Sequence, residues 1–184
     1  MNLFAILLIA IVGIVPVIRG EQSPSSGTRG VSASGAVLPR DAIVPLTVVT
    51  GFFPEANQEM STGQNTTAVG KPEATRSVIY TNSHKSKKVT ISVDQYATPS
   101  DASAAYEKAV QKSRSVPGFK SIDAPNLGPQ AFVGTVTQGT ETHIGLGALR
   151  GTLIVGVTLV GYEAGTETIA RLISLAREQE NAAR

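Results

Sequence analysis

Residues 131–162 read AFVGTVTQGTETHIGLGALRGTLIVGVTLVGY, and this stretch decides the fold. Runs of Val, Ile, Leu and Thr are separated there by two short turn signals, Gly139-Thr140 and Arg150-Gly151. A glycine in the middle of a two-residue hairpin loop supplies the positive φ that such a loop needs. The pattern therefore predicts three consecutive antiparallel strands, with the rest of the chain packed around them.

The two turns also assign the side chains of this stretch to two faces, because side chains alternate along a strand. Pairing outward from Gln138/Glu141 and from Leu149/Thr152 predicts one aliphatic face that belongs to the core. Its members are Val133, Thr135, Ile144, Leu146, Ala148, Leu153, Val155, Val157 and Leu159. The opposite face is rich in glycine and is predicted to hold Phe132, Gly134, Val136, His143, Gly145, Gly147, Leu149, Ile154, Gly156, Thr158, Val160 and Tyr162. A two-residue shift of either turn preserves this division.

Length and composition predict one domain with an aliphatic core. The chain has 184 residues, 41% of them hydrophobic, and a mean hydropathy of +0.07, which suits a single domain of ordinary size. Aromatic residues make up only 5% and Trp is absent, so the core must be built from Val, Ile, Leu and Ala. A small sheet covered by helices fits this composition.

The charge of the chain argues against nucleic-acid binding. The formal net charge is +2, but Arg19, Arg29, Arg40 and Glu21 all lie in the first 40 residues. The remaining thirteen basic residues are balanced by thirteen acidic ones, so the folded part has no basic footprint for nucleic acid.

The N-terminus is predicted to direct the chain out of the cytoplasm. Residues 3–18 form an apolar run with only Gly13 and Pro16 as breakers, about 24 Å long as a helix. That length suits a signal peptide over residues 1–20, while an uncleaved N-terminal anchor that tethers the protein to the membrane through residues 3–18 stays open. Residues 21–40 are rich in Ser and Gly and predict a linker. Residues 41–184 are then a single α+β domain, secreted or periplasmic, with or without the anchor.

The complete absence of cysteine narrows the chemistry. It removes a lipobox anchor, disulfides, thiol catalysis, Cys-based zinc sites and iron–sulfur clusters. No motif for a metal or another cofactor is present, so we expect neither.

The remaining elements are predicted from local patterns. Residues 41–57 predict a short helix, and residues 57–75, rich in turn formers, predict a long surface loop. Residues 77–81 and 89–97 alternate as the strands of a hairpin, and residues 119–124 as a short additional strand.

Two longer helices complete the predicted architecture. Thr98 is followed by Pro99 and Asp101, close to a capping box, and the helix it begins is stopped by Val116-Pro117-Gly118. A terminal helix is predicted from Thr166 to about residue 180. The fold class is therefore α+β, a mainly antiparallel sheet of about five strands with two or three packed helices, an α/β sandwich.

The glycine-rich face is the first candidate for function, and two interpretations are open. A helix carrying Ala102, Ala105 and Ala109 could press closely against the glycines. Alternatively, the face forms a shallow ligand-binding groove. The candidate groove residues are Phe132, His143, Gly145, Gly147 and Tyr162.

Two further candidates come from charged and titratable residues. His84, Lys85, Lys87 and Lys88 cluster at the predicted hairpin tip, where they could contact an anionic surface or simply keep the turn soluble. On one strand, Glu141 stands two residues before His143, so that its carboxylate could orient the imidazole of a hydrolase. No catalytic residue is otherwise indicated.

A family resemblance can be stated on two segments. The first is LGPQAFVGTVTQGTETHIGLGALRGTLIVGVTLVGY at 127–162, and the second is IARLISLAR at 169–177. They resemble the C-terminal half of small exported lipoproteins of actinobacterial type and the extracellular sensor domain of a mycobacterial receptor kinase, over roughly residues 88–178. The resemblance implies an extracytoplasmic α/β sandwich used for binding or sensing, although this chain lacks the lipobox cysteine and the disulfides.

Together these observations predict a non-enzymatic extracytoplasmic domain that binds a ligand, senses one or acts as an accessory protein. Its partner is expected to be a small molecule or an envelope protein, and not nucleic acid. Two alternatives are open: a secreted hydrolase with a site assembled around His143, and a structural adaptor that docks an envelope partner through its lysine-rich tip.

Overall fold

The structure is a computed structural model that describes residues 38–65, 72–124, 127 and 130–183. The predicted leader and most of the predicted linker lie outside the described residues. After a short 3-10 helix at Arg40–Ala42, the elements are α1 (Leu46–Phe52), β1 (Gln58–Asn65), β2 (Ala74–Thr81), β3 (Lys88–Gln95), α2 (Pro99–Arg114), β4 (Lys120–Ile122), β5 (Ala131–Gln138), β6 (Glu141–Arg150), β7 (Leu153–Val160) and α3 (Thr166–Ala182).

The strands form one antiparallel sheet in the order β1-β2-β3-β7-β6-β5-β4. This confirms the α+β class with an antiparallel sheet and three helices, but the sheet has seven strands instead of about five. The loop prediction for residues 57–75 is wrong where β1 lies. The segment QEMSTGQN has no apolar alternation and therefore gives no strand signal. It forms a strand nonetheless, because main-chain hydrogen bonds to β2 hold it at the edge of the sheet, with a bulge at Met60.

The hairpin turns have the predicted glycines, and one of them is displaced. Gln138 pairs with Glu141 as predicted, around Gly139 with a φ of 62°. Arg150 pairs with Leu153, so the second turn is Gly151-Thr152 and not Arg150-Gly151, with Gly151 at a φ of 60°. The positive φ belongs at the first turn position here, which moves the turn by one residue. The division into faces survives because the pairing shift preserves parity.

The predicted aliphatic face carries the main core, and we call it the core face. Helix α3 packs on it over β6 and β7, and α1 packs against α3 in the same apolar cluster. Ile144, Leu146, Val157 and Leu159 are at most 1% exposed, and each such side chain contributes roughly 1.5–3 kcal/mol by leaving water.

The opposite, glycine-rich face is partly covered by α2. This helix begins as predicted, with the Thr98 hydroxyl accepting a hydrogen bond from the Asp101 N–H at 3.1 Å. Its Ala102 and Tyr106 form a second apolar cluster with Leu149 and Ile154. These contacts place α2 over β6 and β7, on the side away from α1 and α3.

Candidate functional site

A pocket of about 590 Å³ opens on the core face, next to the β1 edge of the sheet. It lies between the segment that leads into α1 and the strands β1 and β2. Its apolar wall consists of Ile43, Pro45, Leu46, Val78 and the ring of Tyr80. We call this space the edge pocket.

The segment that forms one wall of the edge pocket is fixed in place by α3. The Gln179 carboxamide is fully buried; it accepts a hydrogen bond from the Val44 N–H at 3.0 Å and donates one to the Ala42 carbonyl at 2.6 Å. From the sheet, the Tyr80 hydroxyl donates to the Val44 carbonyl at 2.6 Å. These three bonds satisfy backbone groups that would otherwise be buried without partners.

The Tyr80 hydroxyl is committed to this structural bond. Burial raises the pKa of Tyr80 to about 12, and the Glu59 carboxylate adds to the rise. The phenol therefore stays protonated at neutral pH and acts as a donor to Val44. Its ring, and not its hydroxyl, is what the side chain offers to the pocket.

Arg76 is the inward-facing cation of the edge pocket. It shares the core face of β2 with Val78 and Tyr80, and its Nη1 donates to the Leu38 carbonyl at 2.6 Å. Its Nε is buried and has no hydrogen-bond partner among the residues that the structure describes. Within the same part of the chain, no carboxylate forms an ion pair with Arg76. A half-buried guanidinium without a counter-charge is costly, so Arg76 is a candidate binding group for an anion.

Three other charged side chains stand at the pocket. Arg40 faces Glu59 across 3.7 Å, and the Arg40 side chain is 82% exposed. Asp41 is exposed beside them. An exposed pair at this distance contributes little to stability, so these groups shape the charge at the mouth more than they hold the fold.

The predicted groove residues do not come together as one site, because Tyr162 lies elsewhere. Strand β7 ends at Val160, and Gly161 has a φ of 79°, which redirects the chain. Tyr162 consequently packs in the core-face cluster, with its ring edge-on to Phe53 at 5.2 Å between centroids. The prediction that alternation continues to residue 162 is wrong for this physical reason.

Phe132 and Gly147 are in contact, but they leave no open groove between them. A Cβ at Gly147 would lie 2.7 Å from the Phe132 ring, which occupies the space above the glycine. That ring meets the edge of Tyr106 from α2 at 6.0 Å. Gly134 is covered similarly, by the ring of Phe119. The space above these two glycines is thus filled by aromatic rings, and not by the alanines alone.

His143 lies further along the same face, apart from Phe132. Its cross-strand neighbours are Val136 and Val160, and it is 7% exposed. Its Nε2 is 3.3 Å from the Glu141 carboxylate, as the two-residue spacing predicts. Gly145 follows on the same face, buried opposite Gly134 and Thr158.

The residues of the lysine-rich tip lie in different environments. His84 and Lys85 are exposed in the β2–β3 turn. The Lys87 ammonium is 2.7 Å from Glu55 and 5.0 Å from the centroid of the Tyr162 ring, and it lowers the pKa of Glu55 through their hydrogen bond. Lys88 is half-buried as the first residue of β3. A docking surface at this tip would therefore rest on His84 and Lys85.

The edge pocket was not predicted from sequence. Its residues come from the segment before α1, from the first turn of α1, from β1 and from β2, and the sequence pattern predicts a loop where β1 lies. One local signal was available: Arg76, Val78 and Tyr80 alternate along one strand, which places a charged residue on an inward-facing row. A charge at such a position is a recognisable exception to burial rules.

Two general findings concern metals and membranes. Within the described ranges, no three His, Asp or Glu side chains come close enough to hold a metal ion. None of the helices in the described part of the chain is long and apolar enough to cross a membrane.

Comparison with known proteins gives a likeness of fold. The chain is similar to the crystal structure of the extracellular domain of PknH from Mycobacterium tuberculosis, with a TM-score of 0.58 and 11% identity over 76% of this chain and 93% of that one. A second structure, a GTP-binding regulator from Thermotoga maritima, gives a TM-score of 0.39 at 10% identity over 74% of this chain and 93% of that one, too low to support any argument. No protein-family model matches the sequence. The curated proteins contain no significant match. The first likeness supports the predicted resemblance to a receptor-kinase sensor domain at the level of fold.

Proposed function

We propose that this chain is an extracytoplasmic, non-enzymatic domain that binds a small ligand, as a sensor or accessory protein does. The observation that carries the proposal is the edge pocket, with its apolar wall and the guanidinium of Arg76, which forms no ion pair within the described part of the chain. Ligand sites are typically concave, largely apolar and supplied with a few placed polar groups. The edge pocket has these three properties.

The location outside the cytoplasm has two supports. The apolar run at residues 3–18 has the composition of a leader or anchor. The fold is similar to that of a domain described as extracellular. Either a cleaved or a retained leader is compatible with binding at the edge pocket.

The polar groups of the edge pocket favour recognition over chemistry. A guanidinium stays protonated at any physiological pH and so cannot act as a general base. The Tyr80 hydroxyl is engaged with Val44. What remains is one fixed positive charge, a charged mouth and an apolar wall, which together can orient a ligand.

Native mass spectrometry of the full chain, purified from the envelope fraction of its source organism, tests the proposal. We expect a reproducible mass increment on the wild type. Thr47→Trp should abolish it, because Thr47 is exposed at the pocket and an indole there blocks the opening without entering the core. Thr137→Trp is the matched control, since Thr137 is exposed on β5, four strands away from β2 in the sheet. An increment carried equally by both variants, or no increment at all, would contradict binding at this pocket.

A hydrolase built around His143 is the second candidate. The observation that favours it is the 3.3 Å contact between His143 Nε2 and Glu141, the arrangement in which a carboxylate orients an imidazole. It ranks second because His143 is 7% exposed, between Val136 and Val160. A substrate would reach it only if these surroundings moved.

A further inference from the structure

We infer that the edge pocket takes an amphiphile with a single carboxylate head and an apolar body. This inference rests on the proposed binding function and adds the chemical class of the ligand. It follows from three features of the pocket: the free edge of one guanidinium, the balance of the surrounding charges, and the apolar wall.

The first feature is which edge of Arg76 is free. Nη1 is used, because it donates to the Leu38 carbonyl at 2.6 Å. Nε has no partner among the described residues, and the structure gives Nη2 none there either. The Nε–Nη2 edge carries two parallel N–H groups, and this fork matches the two oxygens of a carboxylate once a small shift of the atoms that bury Nε opens the edge to the pocket. A neutral ligand would leave the buried Nε unsatisfied.

The bond to Leu38 also fixes the direction in which Arg76 points. A guanidinium held by one of its nitrogens loses little further freedom when the ligand arrives. The backbone carbonyl of Leu38 is neutral, so this bond orients the cation without cancelling its charge. The positive charge remains available to an incoming anion.

The second feature is the number of charges that the pocket can balance. The pocket is lined by two cations, Arg40 and Arg76, and by two exposed or half-exposed carboxylates, Asp41 and Glu59. Glu59 already faces Arg40, whereas Arg76 forms no ion pair with a carboxylate of the described residues. A monoanion supplies one. A dianion such as a phosphate monoester would add a charge for which the pocket holds no further unpaired cation, and it would face Asp41 and Glu59.

The third feature is the apolar wall and the size of the space. Ile43, Val78 and Tyr80 are each no more than 5% exposed and present carbon surface to the pocket. A volume of about 590 Å³ falls in the range of pockets that hold drug-sized ligands, roughly 300–1,000 Å³. A short acid such as acetate would leave most of this wall exposed to water. An acyl chain covers it and keeps the head at Arg76.

Isothermal titration calorimetry with three ten-carbon probes tests the inference: decanoate, decanol and decyl phosphate, each below its micelle concentration and at pH 8. On the wild type we expect decanoate to bind most tightly. On Arg76→Gln, decanoate should bind at least about tenfold more weakly, the loss expected when hydrogen bonds to a charged group are removed, while decanol changes little. Arg114→Gln is the matched control, because Arg114 is exposed on α2 across the sheet, and it should leave all three affinities unchanged.

Arg76→Lys covers the case in which Arg76→Gln does not fold. It keeps the charge but loses the planar fork, so decanoate should bind with an affinity between those of the wild type and a neutral residue. The order of affinities of the three probes for the wild type tests the inference without any variant.

Each contrary outcome has its own meaning. Decanol binding as tightly as decanoate would overturn the carboxylate assignment and leave the binding function standing. Decyl phosphate binding more tightly than decanoate would overturn the charge argument in the same way. If no probe binds, the carboxylate amphiphile is rejected. The binding function is rejected separately, by an envelope-purified wild type without a mass increment that Thr47→Trp removes.

Discussion

Asp94 should make the domain less stable as the pH rises through the weakly acidic range. Its carboxyl lies on the glycine-rich face of β3 and is 2% exposed. Opposite it on β2, the Thr75 hydroxyl donates a hydrogen bond to Asp94 Oδ1 at 2.6 Å. Burial raises the pKa of Asp94 from its usual 3.8 to about 6, against the opposing effect of the Thr75 bond.

The direction follows from proton binding in the two states. Between roughly pH 4 and pH 6 the native Asp94 is still protonated whereas the unfolded chain has lost that proton, so the native state binds more protons. Stability contributed by this group is therefore present at low pH and is lost as the pH rises. With one pKa unit equal to about 1.4 kcal/mol, the loss is on the order of 3 kcal/mol.

Asp94→Asn should remove this pH dependence. The amide has no charge to bury, and its carbonyl can still accept from Thr75. Urea unfolding measured from pH 3.5 to pH 8 should show a variant about as stable as the wild type at the acidic end and more stable by on the order of 3 kcal/mol at pH 8. Asp123→Asn, at an exposed carboxyl, is the matched control and should not reproduce the effect.

Two results would refute this reasoning. If Asp94→Asn is less stable than the wild type at pH 8, the native carboxylate is stabilised by a partner that outweighs its burial. If both proteins lose stability in parallel between pH 4 and pH 6, another group carries the dependence. Chemical-shift titration of the Asp94 carboxyl then decides whether its pKa lies near 6.

Three further predictions test the packing and the second candidate function. Gly161→Ala should destabilise the domain by several kcal/mol, roughly 3 or more, because φ is 79° and the new Cβ would lie 2.1 Å from the Ser86 carbonyl oxygen; thermal unfolding measures it. Gln179→Leu should cost roughly 2–4 kcal/mol and raise hydrogen exchange at Val44, because two buried backbone groups lose their partners. Neither the wild type nor His143→Ala should hydrolyse any member of a panel of esters and glycosides.

Each of these has a contrary outcome. Gly165→Ala is the control for Gly161, since a Cβ there meets nothing within 4 Å, and an equal loss in both would reject the steric argument. Unchanged exchange at Val44 in Gln179→Leu would mean that the segment before α1 is held by other contacts. An activity that is present in the wild type and lost in His143→Ala would favour the hydrolase over the binding domain.

Much of the sheet could be predicted because its signals are local. Gly139 and Gly151 mark two hairpin turns, and turn position together with a period of two fixes which side chains share a face. The displaced second turn left the faces unchanged for the same reason. The start of α2 was predicted equally well, because the Thr98 cap and Asp101 are three residues apart and act within one turn.

The edge pocket could not be predicted, because no part of it is local. Segment 40–47, Glu59 and Arg76 meet only after β1 pairs with β2 and Gln179 fixes the backbone of residues 42–44. The polar strand β1 has no apolar period and forms only because its backbone pairs with the edge of β2. Tyr162 lies on the core face and not on the predicted glycine-rich face, because the positive φ at Gly161 ends the alternation of the strand.

By itself the sequence determined the fold class and the two faces of the central strands, since each depends on residues close together in the chain; the export-type leader stays a prediction. Only the tertiary structure decided which face is covered by which helix, and where a cavity remains. A cavity is what the packed elements fail to fill, and that depends on how distant side chains meet. The guanidinium of Arg76, which in the sequence is one charge in a strand, becomes a candidate binding group only because the fold half-buries it with no carboxylate partner among the described residues.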